Sequence, residues 1–276
     1  DTIIGGAGND TLNGGDGGDT YLIGTGAGVD SIKDTGATGT DSILATADNA
    51  VIGLSALSGI EAIGASGHAG VTIAGGAGND TLSFATTTLT GIVEIDGGAG
   101  NDTITGSAGA DVMAGGVGVD KLTGGGGKDT FLFNLGDTGA TTGTRDLVTD
   151  FTTGTDQLDT SKFGALSFVG SAAFDGKAGE LHTVYDAVHK LTVVEGDTNG
   201  DQIADFGIEL TGNLALGTGD FTAASIVHAV TITGDNNANT LTGTGVDEII
   251  LGLGGNDKIT GLGGDDTITG GAGNDT

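Results

Sequence analysis

The chain has 276 residues and a formal charge of −29, from 37 acidic against 8 basic side chains, with 59 glycines and neither proline, cysteine nor tryptophan. That charge excludes electrostatic binding to nucleic acid or anionic lipid, and the missing cysteines exclude disulfides, thiolate metal sites and cysteine nucleophiles. No apolar run approaches the ~18 residues of a membrane-spanning helix, and a collagen helix would need proline.

High charge with 4% aromatic residues would ordinarily mean disorder, but a 36% hydrophobic fraction supplies a core once the acid is neutralised. Of the 37 acids, 31 are aspartate. Short carboxylates among glycines suit hard, oxygen-seeking cations.

In chain order, five segments follow from the pattern. Residues 1–33 form a first repeat array, with GGAGND at Gly5, GGDGGD at Gly14 and the looser TGAGVD at Thr25. Residues 34–74 are apolar, threonine-rich and glycine-spaced without a helical period, and read as an irregular β-solenoid linker. Residues 75–133 carry a second array, with units at Gly75, Gly97, Gly106, Gly115 and Gly124, interrupted by a linker-like stretch from Phe84 to Asp96. Residues 134–233 are the longest interruption, expected as a β region. Residues 234–276 resume the period of nine at Gly234, Gly243, Gly252, Gly261 and Gly270. Asp1 to Ile4 show no signal-peptide pattern, and both ends of the chain fall mid-unit, so the third array is expected to continue in a longer protein.

Each nonapeptide divides into a six-residue turn and a three-residue strand. The apolar residue two places after each acid (Leu12, Tyr21, Leu82, Ile104, Met113, Leu122, Phe131, Ile250, Ile259 and Ile268) is expected to point inward, because strand side chains alternate. Two units make a coil of 18 residues, which stacks Asp102 on Asp120, Asp111 on Asp129, Glu248 on Asp266 and Asp257 on Asp275. Carboxylates about 4.8 Å apart repel by roughly 3 kcal/mol at an effective dielectric near 20. A calcium ion between them reverses the sign, with turn carbonyls completing a shell of about 6–8 oxygens. The candidate acidic ligands are Asp10, Asp19, Asp30, Asp80, Asp102, Asp111, Asp120, Asp129, Glu248, Asp257, Asp266 and Asp275. The accompanying turn glycines, which permit positive φ and tight curvature, are Gly6, Gly8, Gly15, Gly17, Gly76, Gly78, Gly98, Gly100, Gly109, Gly116, Gly118, Gly125, Gly127, Gly255, Gly264, Gly271 and Gly273.

The repeat G-G-x-G-x-D-x-U-x, strict at seven places, resembles the RTX, or hemolysin-type, calcium-binding nonapeptide family. That resemblance implies an all-β, right-handed parallel β-roll with Ca²⁺ rows along both turn edges. The stretch GKDTFLFNLGDTGATTGTRDLVTDFTTGTDQLDTSKFG resembles the C-terminal β-roll domain of serralysin-type secreted metalloproteases, a version of which occurs in alginate epimerase R-modules. The matching residues are Asp129, Phe131 and Phe133 at the close of the array, then Asp146, Asp150, Phe151, Gly154, Asp156 and Asp159. The region is expected as a sandwich or an extension of the roll. The resemblance covers most of the chain outside residues 33–74, and implies folding on calcium after type I secretion.

Other motifs yield to plainer readings. Asp197-Thr198-Asn199-Gly200-Asp201 starts like an EF-hand loop, but Gln202 stands where glycine is required and Ile208 where glutamate is. An Asn-Gly hairpin turn between strands 190–195 and 204–210 fits better. His68, His182, His189 and His228 form no HExxH, and read as surface or edge residues; His182 and His189, seven apart in a strand, would face opposite ways. No nucleophile elbow occurs, and the chain is expected not to be an enzyme. The function expected is a calcium-binding structural region of a secreted bacterial surface or extracellular protein of adhesin, S-layer or filament type, partnered by calcium and by other copies of itself. The alternative is the non-catalytic secretion and folding module of an extracellular enzyme such as a serralysin-like protease or alginate epimerase.

Overall fold

The computed structural model describes residues 1–36, 38–226, 230–243, 248–262 and 267–276. The chain is all-β, a parallel β-solenoid of about 12 turns. Short threonine-flanked triplets such as Thr103–Thr105 and Thr130–Leu132 form its rungs. β-Branched residues favour the extended backbone, and the glycine turns on either side end each strand after three residues.

Three sheets carry residues 1–211. The first stacks Thr2–Ile3, Thr20–Ile23, Ser42–Ala45, Ala62–Gly64 and Thr88–Thr90, all parallel. The second runs parallel from Thr11–Leu12 through Val29–Lys33, Val51–Ser58, Val71–Ala74, Ile92–Asp96, Val112–Ala114 and Thr130–Leu132 to Gln157–Asp159. The third begins with Thr81–Ser83, Thr103–Thr105, Lys121–Thr123 and Asp146–Val148, then turns partly antiparallel.

Register follows the repeat. Leu82, Ile104, Leu122 and Val148 lie opposite one another along the third sheet, and Ile73, Ile95, Met113, Phe131 and Leu158 along the second. Every one of these side chains is buried. A slip of one residue would turn a whole row outward, so the apolar ladder fixes the register. The expected inward positions are buried except Leu12 and Ile259, which are half-buried, and Ile268, which is 48% exposed. Among the described residues Thr267–Thr269 pairs only with Glu248–Leu251.

The region after Asn134 extends the roll and does not form a separate sandwich. Asp146–Val148 and Gln157–Asp159 add one rung to each sheet. An antiparallel ribbon of Glu180–Asp186, Leu191–Asp197 and Phe206–Thr211 then joins the third sheet by parallel pairing with Asp146–Val148. Its second hairpin occurs where expected, but the strands are joined by the eight residues 198–205 in place of a tight Asn-Gly turn. Phe163 stacks on Phe206 at 3.9 Å between ring centroids, sealing the ribbon to the roll.

In the third array, Val230–Thr233, Glu248–Leu251 and Thr267–Thr269 form one sheet, and Thr240–Thr242 with Lys258–Thr260 another. Among the described residues these strands pair only with one another. Leu253 and Leu262 occupy a glycine position of the repeat and have φ of +72° and +74°, a left-handed backbone that costs a non-glycine residue roughly 1–2 kcal/mol.

Candidate metal centres along the turn edges

The sixth residue of each unit stands where the turn enters the strand. Its backbone N–H donates to the Oδ1 of the corresponding acid one coil further on. Along the third sheet Asp80 donates to Asp102 at 2.7 Å, Asp102 to Asp120 at 2.7 Å and Asp120 to Asp146 at 2.8 Å. Along the second sheet Asp10 donates to Asp30 at 2.9 Å, and later Asp111 to Asp129 and Asp129 to Asp156, both at 3.0 Å. Along the first, Asp19 donates to Asp41 at 2.7 Å and Asp41 to Glu61 Oε2 at 2.8 Å. In the third array Asn239 donates to Asp257 at 2.8 Å, and Asp257 to Asp275 at 2.9 Å. The stacking of acids is thus an amide-to-carboxylate ladder that uses one oxygen of each side chain.

The second oxygen divides the acids into two groups. Oδ2 of Asp10, Asp19, Asp30, Asp102, Asp120, Asp146 and Asp257 is buried with no hydrogen-bond partner. At Asp80 it accepts the Gly76 N–H at 2.6 Å, and at Asp111 both the N–H and the hydroxyl of Ser107, which replaces the second glycine of its unit. Buried unpaired carboxylate oxygens are costly, and seven in one molecule point to a missing positive partner.

The first glycine of the unit shapes the space around that oxygen. A Cβ at Gly5 would come within 2.7 Å of Asp10 Oδ2, one at Gly106 within 2.8 Å of Asp111 Oδ2, and one at Gly115 would overlap Asp120. At the second position Gly116 takes φ +89°, and a Cβ there would overlap the Gly98 carbonyl oxygen of the neighbouring turn. Not every proposed turn glycine is left-handed: Gly76, Gly78 and Gly109 are absent from the positive-φ set. The first-position glycine was not among the expected site residues, because its role is room for a carboxylate and not backbone hand.

Burial, reinforced by like-charged neighbours, pushes Asp120 and Asp129 up to about 6 and Asp146 up to about 8. Asp30 and Asp102 are raised for the same reasons. Carboxylates that resist ionisation when bare, oxygen-only donors and no thiol or imidazole among them are the chemistry of a hard divalent cation.

Asp41, Glu61, Asp146 and Asp156 complete the ladder although they lie outside the strict repeat. Their signal was present: each is followed two residues later by a fully buried apolar residue, Ile43, Ile63, Val148 and Leu158. Coil lengths of 20, 22, 26 and 27 residues hid it from a search at period 18. Asp266 and Gly264 lie outside the described residues, as do the side chain of Glu248 and all of His228.

The EF-hand-like loop is satisfied internally. Fully buried Asp197 accepts the N–H groups of Asn199 and Gly200 on Oδ1 and that of Gln202 on Oδ2, so both its oxygens already serve the loop's own backbone. His182 is no surface residue: it is 8% exposed, stacked on Phe174, and its Nε2 lies 3.0 Å from Glu195 Oε2. Glu195 also pairs with Arg145. His189 sits in the exposed hairpin turn beyond the strand's end at Asp186, so strand parity does not relate the two. His68 pairs with Asp48 at 3.1 Å.

Residues 1–223 match the family model for the peptidase M10 serralysin C terminal, and residues 242–276 that for the RTX calcium-binding nonapeptide repeat. The first match runs through residues 33–74, which the sequence resemblance had left uncovered. Similar solved structures include two subunits of the mannuronan C5-epimerase of Azotobacter vinelandii. AlgE6R2 is 30% identical, with 57% of this chain and 96% of that one covered and a TM-score of 0.45. AlgE6R3 is 28% identical, with 63% and 86% covered and a TM-score of 0.39. No curated protein matches the chain.

Proposed function

Because the chain belongs to the serralysin C-terminal family of M10 peptidases over most of its length and ends in RTX calcium-binding repeats, we propose that it is a calcium-set structural region of a secreted bacterial protein that folds outside the cell. The row of buried Oδ2 atoms without partners carries this reading. Asp10, Asp19, Asp30, Asp102, Asp120, Asp146 and Asp257 hold the ions, with carbonyls of the turn glycines. Bound calcium supplies positive charge and accepts about 6–8 oxygen ligands. The protein's own part is to stack the turns, hold each Oδ1 on an amide and keep the space beside Oδ2 free of any Cβ. On the order of ten ions of charge +2 would offset most of the net charge of −29.

Without calcium, bare buried carboxylates and glycine entropy work against folding; with it, binding energy becomes folding energy. Circular dichroism is expected to show β structure in millimolar calcium and its loss in excess EGTA. An unchanged β signal in EGTA would overturn the reading.

Within that role, we favour a rigidified segment of a surface structure of adhesin, S-layer or filament type, supported by the RTX repeats that follow the serralysin-like region. Ordered lattices or fibres formed only with calcium, seen by electron microscopy, are its test. The serralysin C-terminal match favours a second reading, the secretion and folding module of an extracellular enzyme. A protease or polysaccharide-active domain in the same polypeptide decides for it.

A further inference from the structure

The antiparallel ribbon carries a pocket at one end and a bare apolar tip at the other. The pocket, of about 490 Å³, lies among residues 140–141, 173–174 and 202–204, over the face that presents His182 and Glu195. Its floor is polar but closed. His182 Nδ1 lies 2.8 Å from the Ala172 carbonyl and Nε2 3.0 Å from Glu195 Oε2, while Arg145 donates to Glu195 Oε1 and to the Ala140 carbonyl. Each of these groups already has its partner, so recognition falls to the wall and the rim. The wall is apolar, made by Ala173, Phe174, Ile203 and Ala204, with Ile203 68% exposed. At the rim stands Asp201, whose Oδ1 accepts the Ile203 N–H at 2.9 Å. No lysine, arginine or histidine pairs with Asp201 among the described residues. The occupant this chemistry selects is an aliphatic side chain beside a positive charge.

The chain carries that combination itself. The turn between Glu180–Asp186 and Leu191–Asp197 presents Val188, at 84% exposure the barest large apolar side chain among the described residues. Beside it His189 is tied to Asp186 at 2.6 Å, but Lys190 makes no ion pair among the described residues. The seven residues Leu191–Asp197 separate this tip from the pocket by roughly 23 Å of extended strand, so a chain cannot fill its own pocket. We propose that the Val188 tip of one copy enters the Ile203 pocket of the next, with Lys190 set against Asp201. Two different surfaces meet in this contact, so every copy added leaves one tip and one pocket open, and the assembly grows past a dimer. The contact gives the surface-structure reading, on which its choice of partner rests, a defined join.

Analytical ultracentrifugation of the full chain in saturating calcium tests the contact, with circular dichroism read on the same samples. The unmodified chain should grow past the dimer as its concentration rises. Val188→Asp and Ile203→Ser change exposed side chains, so both should keep the calcium-bound dichroism. Each should weaken assembly roughly tenfold or more, the value of one buried aliphatic side chain. At a concentration where either variant alone is monomeric, their equimolar mixture should stop at the dimer, because each pair then has one sound tip facing one sound pocket. Should one variant lose its dichroism, the other still decides, since it alone must halt growth. An unmodified chain that stays monomeric would overturn the contact. So would assembly that a folded variant leaves intact, or a mixture that remains monomeric or grows past the dimer. Growth in solution without ordered lattices or fibres would remove the surface-structure reading and leave the contact standing; lattices that form equally well from both variants would do the reverse.

Discussion

Asp120 performs two tasks with one side chain. Its Oδ1 accepts the Asp102 N–H and so holds two coils together, while its Oδ2 waits unpaired beside Gly115. Asp197 is buried to the same degree, but amides occupy both its oxygens. In the proposed reading, that contrast marks Asp120 as a metal ligand and Asp197 as a backbone anchor. Asp120→Ala strands the Asp102 amide, at about 1–3 kcal/mol, and also removes a metal oxygen. Asp197→Ala strands three amides at a similar cost. Both variants should melt lower in thermal denaturation, and only Asp120→Ala should bind less calcium by equilibrium dialysis. Equal calcium stoichiometry in the two would remove Asp120 from the ligand set. The aspartates were legible in the repeat because each precedes a core residue by two. The division of labour between Oδ1 and Oδ2 was not, because it depends on the N–H of a residue 18 positions away and on substitutions such as Ser107.

Strand triplets of the arrays could be read from the period alone, because one apolar residue per unit sets both direction and register. Of the antiparallel ribbon only the second hairpin could be read; the polar contacts could not, because they join distant residues outside any repeat. His182 reaches Glu195 across the strand pair, and Arg145 reaches Glu195 over 50 residues. Hydrogen bonding to Glu195 raises His182 above its ordinary 6.5, and hydrogen bonding to His182 lowers Glu195 below its ordinary 4.5. The histidine's contribution is complete below 6.5 and fades as pH rises through its raised value. The glutamate's is complete above 4.5 and fades as pH falls through its lowered value. The ion pair is therefore at full strength between pH 4.5 and 6.5. His182→Gln should lower the melting temperature of the calcium-saturated protein by a few degrees in that window, from the loss of a charge-assisted bond of roughly 1.5–3 kcal/mol. The difference from the unmodified chain should shrink on the alkaline side. A difference that stays flat from acid to alkaline pH would show that packing on Phe174, and not charge, is what His182 contributes.

Across the whole molecule, stability is shared between neighbours along the solenoid, as in any array whose rungs contact only adjacent rungs. The buried apolar cluster runs continuously from Tyr21 to Ile226, whereas the strands from Val230 onward pair only among themselves within the described residues. The period of nine makes the two regions look alike in sequence, but they differ in what seals them. The longer region has five fully buried phenylalanines, Phe84, Phe131, Phe133, Phe206 and Phe221. The shorter has buried Ile250, a half-buried Ile259, a largely exposed Ile268 and two leucines in left-handed turns. In the proposed reading calcium supplies a larger share of folding energy in the shorter array, where fewer apolar contacts among the described residues oppose chain entropy. A chain shortened to residues 1–226 should keep its calcium-driven transition, with melting temperature and calcium midpoint within error of the full chain, read by circular dichroism. In the full chain, stepwise chelation should expose the segment after residue 230 to limited proteolysis first. Collapse of the shortened chain in saturating calcium, or simultaneous cleavage of both regions during chelation, would mean instead that the arrays fold as one cooperative unit.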